Sequence, residues 1–140
     1  MNNLLADFVV RFNTAIKKNL EFFYVPYSNI NIKIVRLLFA YRCIKTFSIG
    51  AGVSNNRLNI KIVLLSVASK PLVQQLRLIS RPGLRVYWSS SELASHYSKN
   101  TFQGFYILST SQGVCSSNEL ISAHILKRPI SGEVMLKVEL

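Results

Sequence analysis

Acidic residues are scarce in this chain: 6 Asp and Glu stand against 17 Lys and Arg among 140 residues. One Asp and five Glu leave little with which to orient His96 or His124 as a catalytic base. Neither Ser109 nor Ser111 sits in a G-x-S-x-G elbow, so a nucleophilic hydrolase has no frame here and no enzyme activity is expected. Cysteine is scarcer still. Cys43 and Cys115 lie far apart, form no CxxC and have no His beside them. Metal-ligand spacing is therefore lacking, and free thiols in a reducing compartment are the expected state. Gly50-Ala51-Gly52 lacks the third glycine and the strand–helix order of a dinucleotide fingerprint, so no cofactor or small-molecule substrate is implied. Long apolar runs are missing too. Ile30–Tyr41 and Leu58–Ala68 fall short of the roughly 18 residues a spanning helix needs and are interrupted by Lys or Arg, so both are expected to be buried secondary structure. The polybasic run of a membrane tether or localisation signal is absent. Met1 to Asp7 carries neither a signal peptide's charged n-region nor an Arg-rich transit pattern, which predicts action in the compartment where the chain is made.

What the chain does have is a large apolar fraction, 49%, together with a net charge of +11 and a pI near 10.1. It can bury a core, so the excess charge belongs on the surface of a folded domain, which then needs a polyanion or an anionic membrane as partner. The cations come in ones and twos (Lys17, Lys18, Arg36, Arg42, Arg57). Dispersal of this kind suits a folded surface touching many phosphates better than a flexible arm.

Apolar residues at Leu4/Leu5, Phe8/Val9, Phe12 and Ala15/Ile16 predict a helix over 3–18, capped by Asn2 or Asn3 and closed by Lys17-Lys18. Phe22–Val25 reads as a strand ended by Pro26. Ser28 caps a second helix whose apolar face holds Ile30, Ile34, Leu37/Leu38 and Tyr41. Ile44–Ile49 and the alternating Leu58–Leu64 read as strands on either side of turn chemistry at Gly50–Asn56. The order α-β-α-β-β defines an N-terminal α/β domain, 1–70, with a boundary where the pattern breaks around Ser66–Pro71. The C-terminal domain, 71–140, is mostly β. Its strands are expected at Val73–Ile79, Leu84–Tyr87, Phe105–Leu108 and Glu133–Glu139, and a tight turn at Ser80–Gly83. Short helices are expected after a cap at Ser90 or Ser91 and after a Ser116/Glu119 capping box. The fold class is α+β.

Two segments could carry chemistry. Ser109-Thr110-Ser111-Gln112-Gly113 places three small hydroxyl residues and a flexible Gly after an apolar strand, suited to bonding phosphates, 2′-hydroxyls or splayed bases; an ordinary Ser-rich turn has the same composition. Arg81-Pro82-Gly83-Leu84-Arg85-Val86-Tyr87 sets a turn flanked by two phosphate-capable arginines, which is also how a hairpin with two solvated arginines would look.

These strings, with Gly132-Glu133-Val134, Ala6-Asp7, Arg11 and Val25-Pro26-Tyr27-Ser28, occur in one order that resembles the bacterial-type small-subunit ribosomal protein eight family. The likeness runs over almost the whole chain and is strongest in its C-terminal half. It implies two small, apposed α/β domains and a structural protein of the small ribosomal subunit. Such a protein binds an irregular stem in the central domain of small-subunit ribosomal RNA, beside neighbouring ribosomal proteins, early in assembly. By the same resemblance Ser109, Thr110, Ser111 and Gly113 contact the stem, Glu133 supports them as an acceptor, and Arg81, Arg85, Arg11 and Lys17 meet phosphates. The family also implies an alternative, a free regulator of a messenger RNA that mimics the stem. Three features depart from the family pattern: Gln112 replaces the loop's basic residue, Ser131-Gly132 replaces a glycine pair, and the segment around His124–Ile130 is longer. The few charges, 16%, and the wealth of Asn, Ile, Phe, Tyr and Lys suggest AT-rich coding. A mitochondrial ribosome is expected, with chloroplast or bacterial cytoplasm as alternatives, and no membrane partner.

Overall fold

A computed structural model describes residues 3–51, 57–81, 83–99, 104–119 and 131–140. The architecture is α+β, and the chain divides into two compact units, Met1–Leu76 and Arg77–Leu140.

In the first unit, helix α1 (Asn3–Lys17) buries Leu5, Phe8, Val9, Phe12 and Ala15 at helical spacing, and Asn19 leaves it in the left-handed region at φ 54°. Strand β1 (Phe22–Pro26) follows, then α2 (Asn29–Ala40), whose N-cap Ser28 accepts from the Asn31 amide at 3.2 Å. The buried face of α2 is rotated from the one expected: Asn31, Ile32, Ile34, Val35 and Leu38 are buried, while Ile30, Leu37 and Tyr41 are only half-buried. Asn31 explains the rotation. Its side-chain amide donates to the Pro26 carbonyl at 2.9 Å, so a polar residue enters the interior by tying the helix to the strand before it. Strands β2 (Ile44–Ala51) and β3 (Leu58–Leu64) complete an antiparallel sheet ordered β1-β3-β2. Gly50 and Ala51 thus belong to a strand instead of the expected turn, and 52–56 lie outside the described residues. Phe23, Val25, Ile60, Ile62 and Leu64 are buried, with Phe23 edge-on to Phe12 at 5.4 Å between centroids. The break at 66–71 is a small hairpin of β4 (Ser66–Val67) and β5 (Lys70–Pro71).

Strand β6 (Gln75–Leu78) carries the chain into the second unit, where β7 (Tyr87–Trp88), α3 (Ser90–Lys99), β8 (Gly104–Thr110), β9 (Gly113–Ser116) and β10 (Gly132–Glu139) follow. The sheet runs β6-β10-β8-β9, and β7 also pairs with β10. Leu93, Tyr106, Leu108 and Val134 form a core that Trp88, Val86, Ile79 and Cys115 cover. Three details differ from the sequence reading. β6 and β7 are shorter than their apolar patterns. The cap of α3 is Ser89, whose hydroxyl accepts from the Glu92 amide at 3.3 Å. β10 does not alternate: Val134, Met135 and Leu136 are all buried, because the pairing with β8 shifts between Val134 and Leu136 and a bulge turns consecutive side chains inward. The half of the capping box that joins Glu119 N–H to the Ser116 hydroxyl forms at 3.3 Å. The long segment at His124–Ile130 lies outside the described residues.

Candidate nucleic-acid interface

Of the hydroxyl-rich segment, only Ser111 and Gln112 form the turn; Ser109 and Thr110 end β8, and Gly113 opens β9 opposite Thr110. Gly113 has φ +107°, a conformation in which a side chain would be strained. The Thr110 hydroxyl donates to the Gly113 carbonyl at 2.9 Å and accepts from the Gln112 amide at 3.1 Å. It therefore builds the turn from within. Ser111 and Gln112 are exposed and Ser109 is half-buried.

The loop is positioned by β10. Gly132 pairs with Thr110 and Glu133 with Ser109 on one side, while on the other side they pair with Trp88 and Tyr87. Tyr87, Glu133 and Ser109 thus form one cross-strand row, and Trp88, Gly132 and Thr110 the next. Directly opposed residues share a face of a sheet. Trp88 lies against α3, its ring stacked on His96 at 4.0 Å and 8°. The row of Tyr87, Glu133 and Ser109 projects from the opposite face. Gly132 is required by closeness: a Cβ there would stand 2.6 Å from the Ser109 carbonyl oxygen and 2.7 Å from Thr110 Cγ2. Of the Ser131-Gly132 pair, the retained glycine is the one that faces β8, and Ser131 is exposed.

The Arg81–Leu84 turn is anchored to the same strand. Arg81 and Leu84 exchange backbone hydrogen bonds, both 2.9 Å, and Gly83 has φ +89°. The Ser80 hydroxyl, which is buried, donates to Val134 O at 2.6 Å and accepts from Val86 N at 3.0 Å. Arg85 Nη1 donates to Glu133 Oε1 at 3.0 Å. Glu133 therefore sits beside the loop already paired with a cation, and Arg85 lies next to the row. Arg81 is exposed.

Arg11 and Lys17 belong to the first unit and form no part of that row. Arg11 pairs with Asp7 at 2.9 Å and donates to the Tyr24 carbonyl at 3.1 Å, and Lys17 is exposed in the last turn of α1. Sequence reasoning gave no role to Ser80, Tyr87 or Gly132. Burial marks out the first, a buried serine, and Tyr87, 66% exposed, is legible from Val86 and Trp88 as its core-facing neighbours.

Neither thiol is activated. Burial pushes the Cys43 thiol up to about 11 and also raises Cys115, on which burial outweighs a hydrogen bond with Thr110, the reverse of what an activated nucleophile needs. Among the described residues no group of three His, Cys, Asp or Glu could hold a metal ion, and no helix is long and apolar enough to cross a membrane.

The chain is similar over most of its length to known proteins. The small ribosomal subunit protein uS8 of Aliarcobacter butzleri is 30% identical over 139 residues, covering 99% of this chain and 98% of that one. The protein of the same name from Neisseria meningitidis serogroup C is 29% identical over 119 residues, 85% of this chain and 87% of that one. The sequence model of the family described as Ribosomal protein S8 matches residues 3–138, and the chain belongs to that family.

Proposed function

We propose that this protein is a structural constituent of the small ribosomal subunit that binds the central-domain stem of its ribosomal RNA and supports assembly, with no catalytic role. The observation that carries the reading is the cross-strand row. A rigid two-residue hairpin end, Ser109 beside a neutralised Glu133–Arg85 pair and the exposed ring of Tyr87 together offer hydrogen bonds and a stacking face to an irregular stem. A-form duplexes hide their major-groove base edges, so selective RNA recognition falls on bulged or splayed bases, which suit such a surface. Arg81 supplies a phosphate contact beside the turn, and Arg11 and Lys17 add dispersed ones from the first unit. Gln112 contributes hydrogen bonding without charge. Neighbouring small-subunit proteins are the remaining partners. The scarcity of charged residues and the AT-rich residue usage favour a mitochondrial ribosome.

The test is binding of the purified chain to the central-domain stem and to a regular duplex of equal length, at low and moderate salt. Preferential binding to the stem that survives moderate salt is expected. Equal binding to both, erased by salt, would reduce the protein to a generic polycation and overturn the reading.

A further inference from the structure

The outward face of the first unit's sheet is not used by the stem-binding reading, and its composition is specific. On a half-buried antiparallel sheet the outer positions are ordinarily polar or charged. Here β1 places Phe22 and Tyr24 outward, 43% and 49% exposed, between the buried Phe23 and Val25. The two rings meet edge to face at 5.8 Å between centroids. Tyr24 pairs across the sheet with Lys61 of β3, which in turn pairs with Ser48 of β2. Lys61 Nζ lies 4.4 Å from the centre of the Phe22 ring. Next along β3 and β2, Asn59 pairs with Gly50, and Tyr24, Lys61, Asn59, Ser48 and Gly50 share the lining of a concavity of about 460 Å³. Ser48 and Gly50 are small, and among the described residues nothing lies within 4 Å of where a Cβ on Gly50 would stand.

We infer that this face is a second RNA surface, a stacking platform that takes an unpaired nucleotide. Several observations select that occupant. The concavity falls in the range of small-molecule pockets, about 300–1,000 Å³, large enough for a nucleoside. Two exposed rings provide stacking surfaces, and base stacking on aromatics tolerates every base. The ammonium of Lys61 lies over the Phe22 ring and can meet the phosphate of the same nucleotide, while the Asn59 amide and the Ser48 hydroxyl can bond a base edge or a 2′-hydroxyl. Charge agrees: β1, β2 and β3 contain Lys45 and Lys61 and not one Asp or Glu, so an anionic partner meets no repulsion from the strands it lies on. The inference rests on the ribosomal reading only for the class of partner. Its residues lie in the other unit from the Ser109 hairpin, which lets the two be tested apart.

The experiment uses the full chain and a labelled, unstructured RNA octamer, with the central-domain stem titrated in parallel. Phe22→Ala and Tyr24→Ala are each expected to weaken octamer binding by roughly 5- to 150-fold, the loss of one stacked base, while stem affinity stays within about twofold and the thermal midpoint falls only slightly, from the lost ring contact. Tyr24→Phe, which keeps the ring, should bind the octamer as the native chain does. Lys61→Ala should weaken octamer binding and reduce its salt slope by about one. Octamer binding indifferent to Phe22 and Tyr24, or lost to the same extent on the stem, would overturn the platform. Failure of the native chain to select the stem, with ring-dependent octamer binding retained, would sink the stem reading and leave the platform standing.

Discussion

A methyl group at position 132 would press on atoms that cannot step aside: Ser109 O belongs to the backbone of β8, and Thr110 is held by its hydrogen bonds to Gln112 and Gly113. Gly132→Ala is therefore expected to cost about 1–3 kcal/mol, the usual range for overpacking. A lowered urea midpoint at an unchanged slope would report it, and an unmoved midpoint would mean that β10 yields without penalty. The thiols give a second residue-scale expectation. Only a thiolate reacts readily, so at about pH 8 both cysteines should resist a disulfide reagent, the half-buried Cys115 yielding before the buried Cys43. Cys43 is held protonated up to about 11 in the folded chain, against an ordinary value of 9.0. The unfolded chain loses that proton first, so the contribution is complete below about pH 9 and is lost as pH rises towards 11. Removing the thiol with Cys43→Ala should make stability less sensitive to pH across that window. Parallel pH series with the same steepness would refute the assignment.

At the scale of the element, the three hydroxyls of the hairpin divide their labour. Thr110 closes the turn, whereas Ser109 and Ser111 are free of such duties among the described hydrogen bonds. Thr110→Val should lower thermal stability, by roughly 0.5–1.5 kcal/mol, by removing the acceptor of the Gln112 amide and one donor to the Gly113 carbonyl, which keeps the Cys115 thiol at 3.7 Å. Ser109→Ala and Ser111→Ala should leave stability alone and instead weaken stem binding by about 1–3 kcal/mol each. Titration alongside thermal melts separates the two kinds of loss, and equal small effects from all three would remove the hairpin from recognition. The sequence announces the hairpin but not this division, because Thr110 and Ser111 differ only in which partners the turn brings near. The same limit runs through the fold. The Ser28 cap, the helical face of α1 and the alternation of β3 are written locally, in spacing that needs no neighbour to be read. The rotated face of α2, the shortness of β7 and the bulge in β10 depend on what lies across from them: Asn31 is inside because Pro26 O is within reach, and Met135 is inside because the register with β8 slips.

At the scale of the whole molecule, what matters is how the net charge of +11 is deployed. Part of the cationic complement is already spoken for: Arg11 by Asp7, Arg85 by Glu133, and Arg77 and Lys137 by Glu139. A cation with a nearby carboxylate releases fewer condensed counterions from RNA when it docks, because its own partner has to be displaced or shared. Lys17 has no acidic partner among the described ion pairs and stands at the exposed end of α1. If both residues meet phosphates, the slope of log affinity against log salt should fall by about one in Lys17→Ala and by clearly less in Arg11→Ala, although arginine is the stronger phosphate ligand in isolation. Titrating the stem at several salt concentrations with the native chain and both variants decides between them. A larger change for Arg11 would mean that Asp7 gives up its partner on binding, so that the ion pair on α1 is a resting arrangement. An unchanged slope for both would place the first unit's helix away from the RNA and leave the electrostatic work to the second unit and the sheet face.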